Sequence, residues 1–144
     1  MNKIMTQEDK ELLLKELSAR LPYGIKFPMM CWDEETGETV RPVTLYSINK
    51  DGYCQVSEDD YSPYIDEIKP YLFPLSSMTE EQKREYNKWK HEIPVCHYEY
   101  GDVIEEIELY DSPESFEYLI ENHFDYRGLI PNGSALDATG LGIY

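Results

Sequence analysis

Residues 39–56 read TVRPVTLYSI-NKDG-YCQV, and this stretch decides the fold. Thr39 to Ile48 is rich in Val, Thr and Tyr, which favour strands. Asn49-Lys50-Asp51-Gly52 is a strong hairpin turn signal, and Tyr53 to Val56 supplies a short returning strand. Upstream, residues 25–32 form another apolar run, separated from Thr39 by the turn-like Asp33-Glu34-Glu35-Thr36-Gly37-Glu38. The spacing predicts an antiparallel three-stranded meander. Pro28 and Pro42 lack the N–H a ladder needs, so each is expected at an edge or a bulge.

Helices flank this meander. Thr6 precedes Asp9 by three residues, a helix-start pattern, and Leu12, Leu13, Leu17 and Leu21 follow at helical spacing. Lys10, Glu11, Lys15 and Glu16 are expected on the polar side. Pro22 and Gly24 end this first helix near Arg20. Thr79-Glu80-Glu81-Gln82 is a capping box, starting a second helix expected to run to about His91 with a narrow buried stripe at Tyr86 and Trp89. Ser112-Pro113 opens a third, over residues 113–123, with Phe116, Leu119, Ile120 and His123 on one face. Residues 57–77, with Pro63, Pro70 and Pro74, read as an irregular connector with a short helical turn at 64–68. Residues 95–100 and 104–110 suit two further strands around Gly101-Asp102. Val103, Ile104 and Ile107 also fit a helix, although the alternation of Ile107 and Leu109 with glutamates favours a strand. The tail from Phe124 reads as ordered coil and turns. These elements predict an α+β fold: an antiparallel β-sheet, the meander plus one or two further strands, with about three helices packed on it in one domain spanning 1–144.

Charge narrows the function classes. The chain of 144 residues carries 13 Lys and Arg against 29 Asp and Glu, a net −16. Residues 92–126 hold eleven acidic residues and no Lys or Arg. Such a surface repels nucleic acid and anionic membrane and attracts basic partners. Thirteen Tyr suit the wet rim of a core. No apolar run approaches the ~20 residues that span a bilayer. The opening residues do not read as a signal peptide, and three cysteines, Cys31, Cys54 and Cys96, point to reduced thiols. A cytoplasmic protein is expected.

Motifs for chemistry are thin. The EF-hand pattern lies over Ser47-Ile48-Asn49-Lys50-Asp51-Gly52 and ends at Glu58. Its first position is Ser instead of Asp, and the preceding residues favour strand, so the letters read better as a hairpin. Cys96, His97, His91, Cys31, Cys54 and His123 lack the paired spacing of zinc sites. No cysteine is marked as an activated nucleophile, and acidic surroundings would raise a Cys96 thiol pKa. Paired acids such as Glu105 and Glu106, or Asp59 and Asp60, read as a solvated acidic face. No metal or cofactor is expected. The densest mixed chemistry is His123, Asp125, Tyr126 and Arg127, which reads either as a small catalytic or anion-binding cluster or as structural anchoring of the tail, the second being favoured.

Two stretches carry a resemblance. Lys69-Pro70-Tyr71-Leu72-Phe73-Pro74-Leu75-Ser76-Ser77-Met78-Thr79-Glu80-Glu81 is one. The other is His123-Phe124-Asp125-Tyr126-Arg127-Gly128-Leu129-Ile130, continuing through Gly133, Ala135, Leu136, Asp137 and Ala138. Together they make up about a fifth of the chain, and they resemble small uncharacterised proteins of gut Bacteroidales and their phages or mobile elements. That group has no established activity, so the resemblance implies a bacterial or phage origin and an accessory role, and it transfers no catalytic residues.

The functional expectation is a non-enzymatic acidic interaction or regulatory protein that binds a basic protein partner, with no direct nucleic-acid or membrane binding. In one form it is a nucleic-acid mimic whose carboxylates stand where phosphates would. Its expected surface is Glu99, Asp102, Glu105, Glu106, Glu108, Glu114, Glu117 and Glu121. The rival readings are an enzyme built on His123, Asp125, Tyr126 and Arg127, and a phage structural or assembly component.

Overall fold

A computed structural model describes residues 6–35, 37–56, 62–89, 95–96, 109–110 and 112–144. The fold is α+β, as the sequence predicts, and the chain divides into two compact units: Met1–Tyr71 with Ile143–Tyr144, and Leu72–Gly142.

The first unit is built on the predicted meander. Strands β1 (Lys26–Asp33), β2 (Gly37–Ile48) and β3 (Cys54–Val56) form an antiparallel sheet in the order β1-β2-β3. Its inner face buries Phe27, Met29, Val43, Leu45, Cys54 and Val56. Pro28 pairs directly with Pro42. The Leu45 amide donates to the Ile25 carbonyl at 2.9 Å, and the alternation of an antiparallel ladder then makes Pro28/Pro42 a non-hydrogen-bonded pair. Neither proline therefore breaks the ladder. Pro42 sits in the middle strand, but among the described residues β3 reaches only the Leu45–Ile48 part of β2, and none of them pairs with Pro42 on its far side. A register shift between Leu45 and Ser47 marks an irregularity in β2 opposite the end of β3.

Helix α1 (Gln7–Arg20) starts at Thr6, whose hydroxyl accepts the Asp9 amide while the Asp9 carboxylate accepts the Thr6 amide. Leu13 and Leu17 are fully buried. Glu16, expected on the polar side, is instead buried with Arg20. One turn apart on the same face, the two neutralise each other at 3.1 Å, which lets a charge enter the interior. The predicted helical turn after the meander is a 3-10 turn, Ile65–Glu67.

In the second unit, residues read as irregular connector and tail form a small sheet. Strands β4 (Tyr71–Pro74), β7 (Phe124–Asp125) and β8 (Leu136–Asp137) run in the order β7-β4-β8, with β4 parallel to β7. Strands β5 (Val95–Cys96) and β6 (Leu109–Tyr110) pair antiparallel; residues 97–108 between them, which hold all of the strand-or-helix stretch except Leu109 and Tyr110, lie outside the described residues. Helix α2 (Glu80–Asn87) has the predicted capping box at Thr79 but stops short of His91. Only Tyr86 is buried along it, so no apolar stripe holds a further turn, and Trp89 folds back beside Tyr86 and Tyr118 at ring distances of 6.1 and 5.8 Å. Helix α3 (Pro113–Glu121) ends two residues earlier than expected. A short helix α4 (Leu129–Asn132), absent from the sequence reading, follows β7. Leu75, Met78, Tyr86, Leu119, Phe124 and Tyr126 form this unit's core.

Candidate functional site

The segment following α3 is set by local backbone demands. His123 adopts φ 64°, the left-handed conformation that closes many helices. Its amide donates to Ile120 O at 3.1 Å, and its carbonyl accepts from the Phe73 amide at 2.8 Å. The residue that ends α3 thus also joins β7 to β4. The His123 side chain is buried.

Asp125 comes next but one, also buried. One carboxylate oxygen accepts the amides of Arg127 at 3.2 Å and Leu129 at 3.0 Å; the other accepts that of Ile130 at 2.9 Å. A carboxylate matches the early amides of a helix, which have no partner within the helix itself. Tyr126 is 8% exposed and packs on Phe116 at 5.3 Å in the core. The Arg127 guanidinium lies 5.3 Å from the Tyr126 ring centroid, a cation–π distance. Each of the four residues therefore has a structural task, and the Asp125 carboxylate already holds three backbone amides.

The two stretches quoted for the expected resemblance lie largely in this second unit. Beyond the His123–Phe73 bond, the Ala138 amide donates to Leu72 O at 2.8 Å. The PYLFP and HFD…ALDA segments are thus the three strands of one sheet.

The expected acidic surface is described in part. Glu114, Glu117 and Glu121 are all exposed on α3, at a spacing that keeps them on one side of the helix. Glu99, Asp102, Glu105, Glu106 and Glu108 lie outside the described residues, as do His91, His97 and the paired acids Asp59, Asp60, Glu105 and Glu106. Tyr118 extends the acidic face toward α2: its hydroxyl donates to the Glu85 carboxylate at 2.9 Å. Burial first, then Glu85, then the charges of Glu81 and Glu121 push this phenol up to about 12.

The described part of the EF-hand letters forms a hairpin turn, and Glu58 lies outside the described residues. Asn49 Oδ1 accepts the amides of Asp51 and Tyr53, each at 3.0 Å, and the Gly52 amide donates to Asn49 O at 3.1 Å. The segment entering it is β2, whereas the calcium motif enters from a helix. Cys54 is buried, and burial pushes its thiol up to about 11, which suppresses the thiolate. Beside this turn, a cleft of about 120 Å³ is lined by residues including Lys10, Glu11, Lys50, Asp51 and Tyr64. It is well below the several hundred Å³ of a typical small-molecule site, and its two lysines are matched by two carboxylates.

Sequence reasoning missed the outer face of the β1–β2 hairpin, where Met30, Trp32 and Val40 are exposed. The signal was present. In KFPMMCWD apolar residues occupy both phases of the strand, so one set had to face outward.

No helix among the described residues is long and apolar enough to cross a membrane. No family model, curated protein or solved structure matches the chain.

Proposed function

We propose that the protein is a non-enzymatic docking protein, of bacterial or phage origin, that regulates a basic protein partner by engaging it through carboxylates. The observation that carries this reading is the α3 face. Glu114, Glu117 and Glu121 are exposed together, within a stretch of sequence, 92–126, that contains no Lys or Arg. The nearby Tyr118–Glu85 contact supplies an aromatic ring among the acids, a pairing suited to Lys and Arg side chains. The assignment of His123, Asp125, Tyr126 and Arg127 to cap, strand and core further favours docking over catalysis. In its sharpest form the protein is a nucleic-acid mimic that occupies a partner's basic cleft.

The test is affinity capture from bacterial lysate at low and high salt, with the native chain and with Glu114→Lys/Glu117→Lys/Glu121→Lys. Basic proteins captured by the native chain, released by salt and lost with the triple variant are the expected result. An identical captured set for the two chains would sink the reading.

A further inference from the structure

Among the described residues, strand β1 is guarded along half of its outer edge and open along the other half. With the Leu45 amide on Ile25 O, the odd-numbered residues of β1 bond to β2, and the N–H and C=O groups of residues 26, 28, 30 and 32 point away from the sheet. At Lys26 the Tyr144 hydroxyl closes the edge. It accepts the Lys26 amide at 2.9 Å and donates to Tyr71 O at 2.8 Å. Pro28 offers no N–H. From the Pro28 carbonyl to Trp32 there is no such guard: no hydrogen bond among the described residues engages the outward amides of Met30 and Trp32. Natural edge strands are normally blunted along their length by Lys, Pro, a bulge or a covering segment.

The outer face beside this open edge is apolar. Met30 pairs with Val40, and Trp32 with Glu38; Met30 is 55% exposed, Trp32 71% and Val40 60%. Single exposed apolar residues are ordinary, but three adjacent large ones form a patch. Around the hairpin tip the exposed charges among the described side chains are Glu34, Glu35 and Glu38, with Arg41 further down β2. Apolar contact, free backbone groups and negative charge thus meet within a few residues.

We infer that the open half of β1 is a strand-addition site for an extended segment of a partner protein, apolar at alternate positions and carrying Lys or Arg toward the hairpin tip. Main-chain bonds to Met30 and Trp32 supply affinity, and the Met30–Val40–Trp32 surface with the tip carboxylates supplies selectivity. The charge pattern disfavours a second copy as occupant, since that copy brings its own Glu34, Glu35 and Glu38 on a chain of net −16. The hairpin belongs to the first unit and α3 to the second, and the strand-addition proposal does not rest on the α3 carboxylates.

A fluorescently labelled synthetic peptide alternating Val and Lys, titrated with the full chain and followed by anisotropy, tests this. Saturable binding with a Kd of about 100 µM or tighter is expected, weakening with added salt. Met30→Pro removes one outward N–H and leaves the β2 ladder intact; it weakens binding at least about tenfold, as does Trp32→Glu. An N-methylated version of the peptide, unable to donate to the edge, binds the native chain at least about tenfold more weakly, an arm that needs no variant to fold. Glu114→Gln/Glu117→Gln/Glu121→Gln binds the peptide within about twofold of the native chain. Lack of saturation by about 1 mM, equal binding of a Val–Glu peptide or unimpaired binding of the N-methylated peptide would overturn the assignment. So would tenfold loss in the α3 variant, which would move the peptide to that helix. A dimer in sedimentation that Met30→Pro abolishes would make the occupant a second copy and overturn it as well.

Discussion

Glu16 and Arg20 form an ion pair at 3.1 Å on the buried face of α1, with Arg20 fully enclosed and Glu16 3% exposed. A second guanidinium contact, Nε to the same carboxylate oxygen, is 3.3 Å long. A pair removed from water this completely depends on both members, since a lone buried charge is costly. Arg20→Met is therefore expected to destabilise the fold by about 3–5 kcal/mol. Glu16→Leu combined with Arg20→Met is expected to recover much of that loss, because apolar replacement of a whole pair is often neutral or better. Urea unfolding of the two singles and the double closes the cycle; equal stability of Arg20→Met and native protein refutes the account.

Asp125 gives a parallel case built on neutral donors. Its two oxygens hold the amides of Arg127, Leu129 and Ile130, so Asp125→Ala leaves backbone donors in a largely buried turn without their acceptor. The expected loss is about 2–3 kcal/mol. Asp125→Asn, which keeps one acceptor oxygen, is expected to lose less. Chemical denaturation of both variants decides the matter, and a larger loss for Asn than for Ala would contradict it.

What the sequence reveals of this fold follows from how local each signal is. The Thr79 capping box and the Asn49–Gly52 turn act over a few residues, and both appear where the letters place them. The helix starts at Thr6 and Ser112 are equally local. Pairings between distant segments carry no such mark. Nothing in Tyr71-Leu72-Phe73-Pro74 names Phe124 and Asp125 as parallel partners, and a two-residue strand is too short for periodicity to register. The burial of Glu16 was hidden for the same reason: its acceptance into the core depends on Arg20 and on the elements packed around both. The candidate site was legible as a concentration of chemistry at residues 123–127, but the backbone roles of His123 and Asp125 arise only once β4 and α4 are in place.

Gly52 sits at φ 90°, and a Cβ there would meet Tyr64 Cε2 at 3.0 Å and Ile65 Cγ2 at 3.3 Å. Its carbonyl also accepts the Ile65 amide at 2.8 Å. Gly52→Ala combines a left-handed backbone penalty of about 1–2 kcal/mol with this crowding, so a loss above about 2 kcal/mol is expected. Truncating the neighbouring ring, in Gly52→Ala/Tyr64→Leu, relieves only the steric part. Thermal melts of the single and double variants separate the contributions; a stable Gly52→Ala protein would refute both.

Alkaline pH is expected to weaken the first unit through Cys54. Burial raises its thiol from the ordinary 9.0 to about 11, so the folded chain holds the proton more tightly than the unfolded chain does. The stabilisation is therefore complete below pH 9 and is lost as pH climbs through 11, because the unfolded state releases its proton first. Tyr118 in the second unit has the same sign, from 10.0 to about 12, and gives way at higher pH. Cys54→Ser does not separate the effect cleanly, since it buries a hydroxyl; Cys54→Ala removes the titrating group at the cost of a small cavity. Urea midpoints measured from pH 8 to about 11 should fall less steeply for Cys54→Ala than for native protein. At neutral pH, iodoacetamide should reach Cys54 only after unfolding. Parallel pH curves for the two proteins, or rapid alkylation of Cys54 in the folded chain, would show that its burial is not what holds the proton.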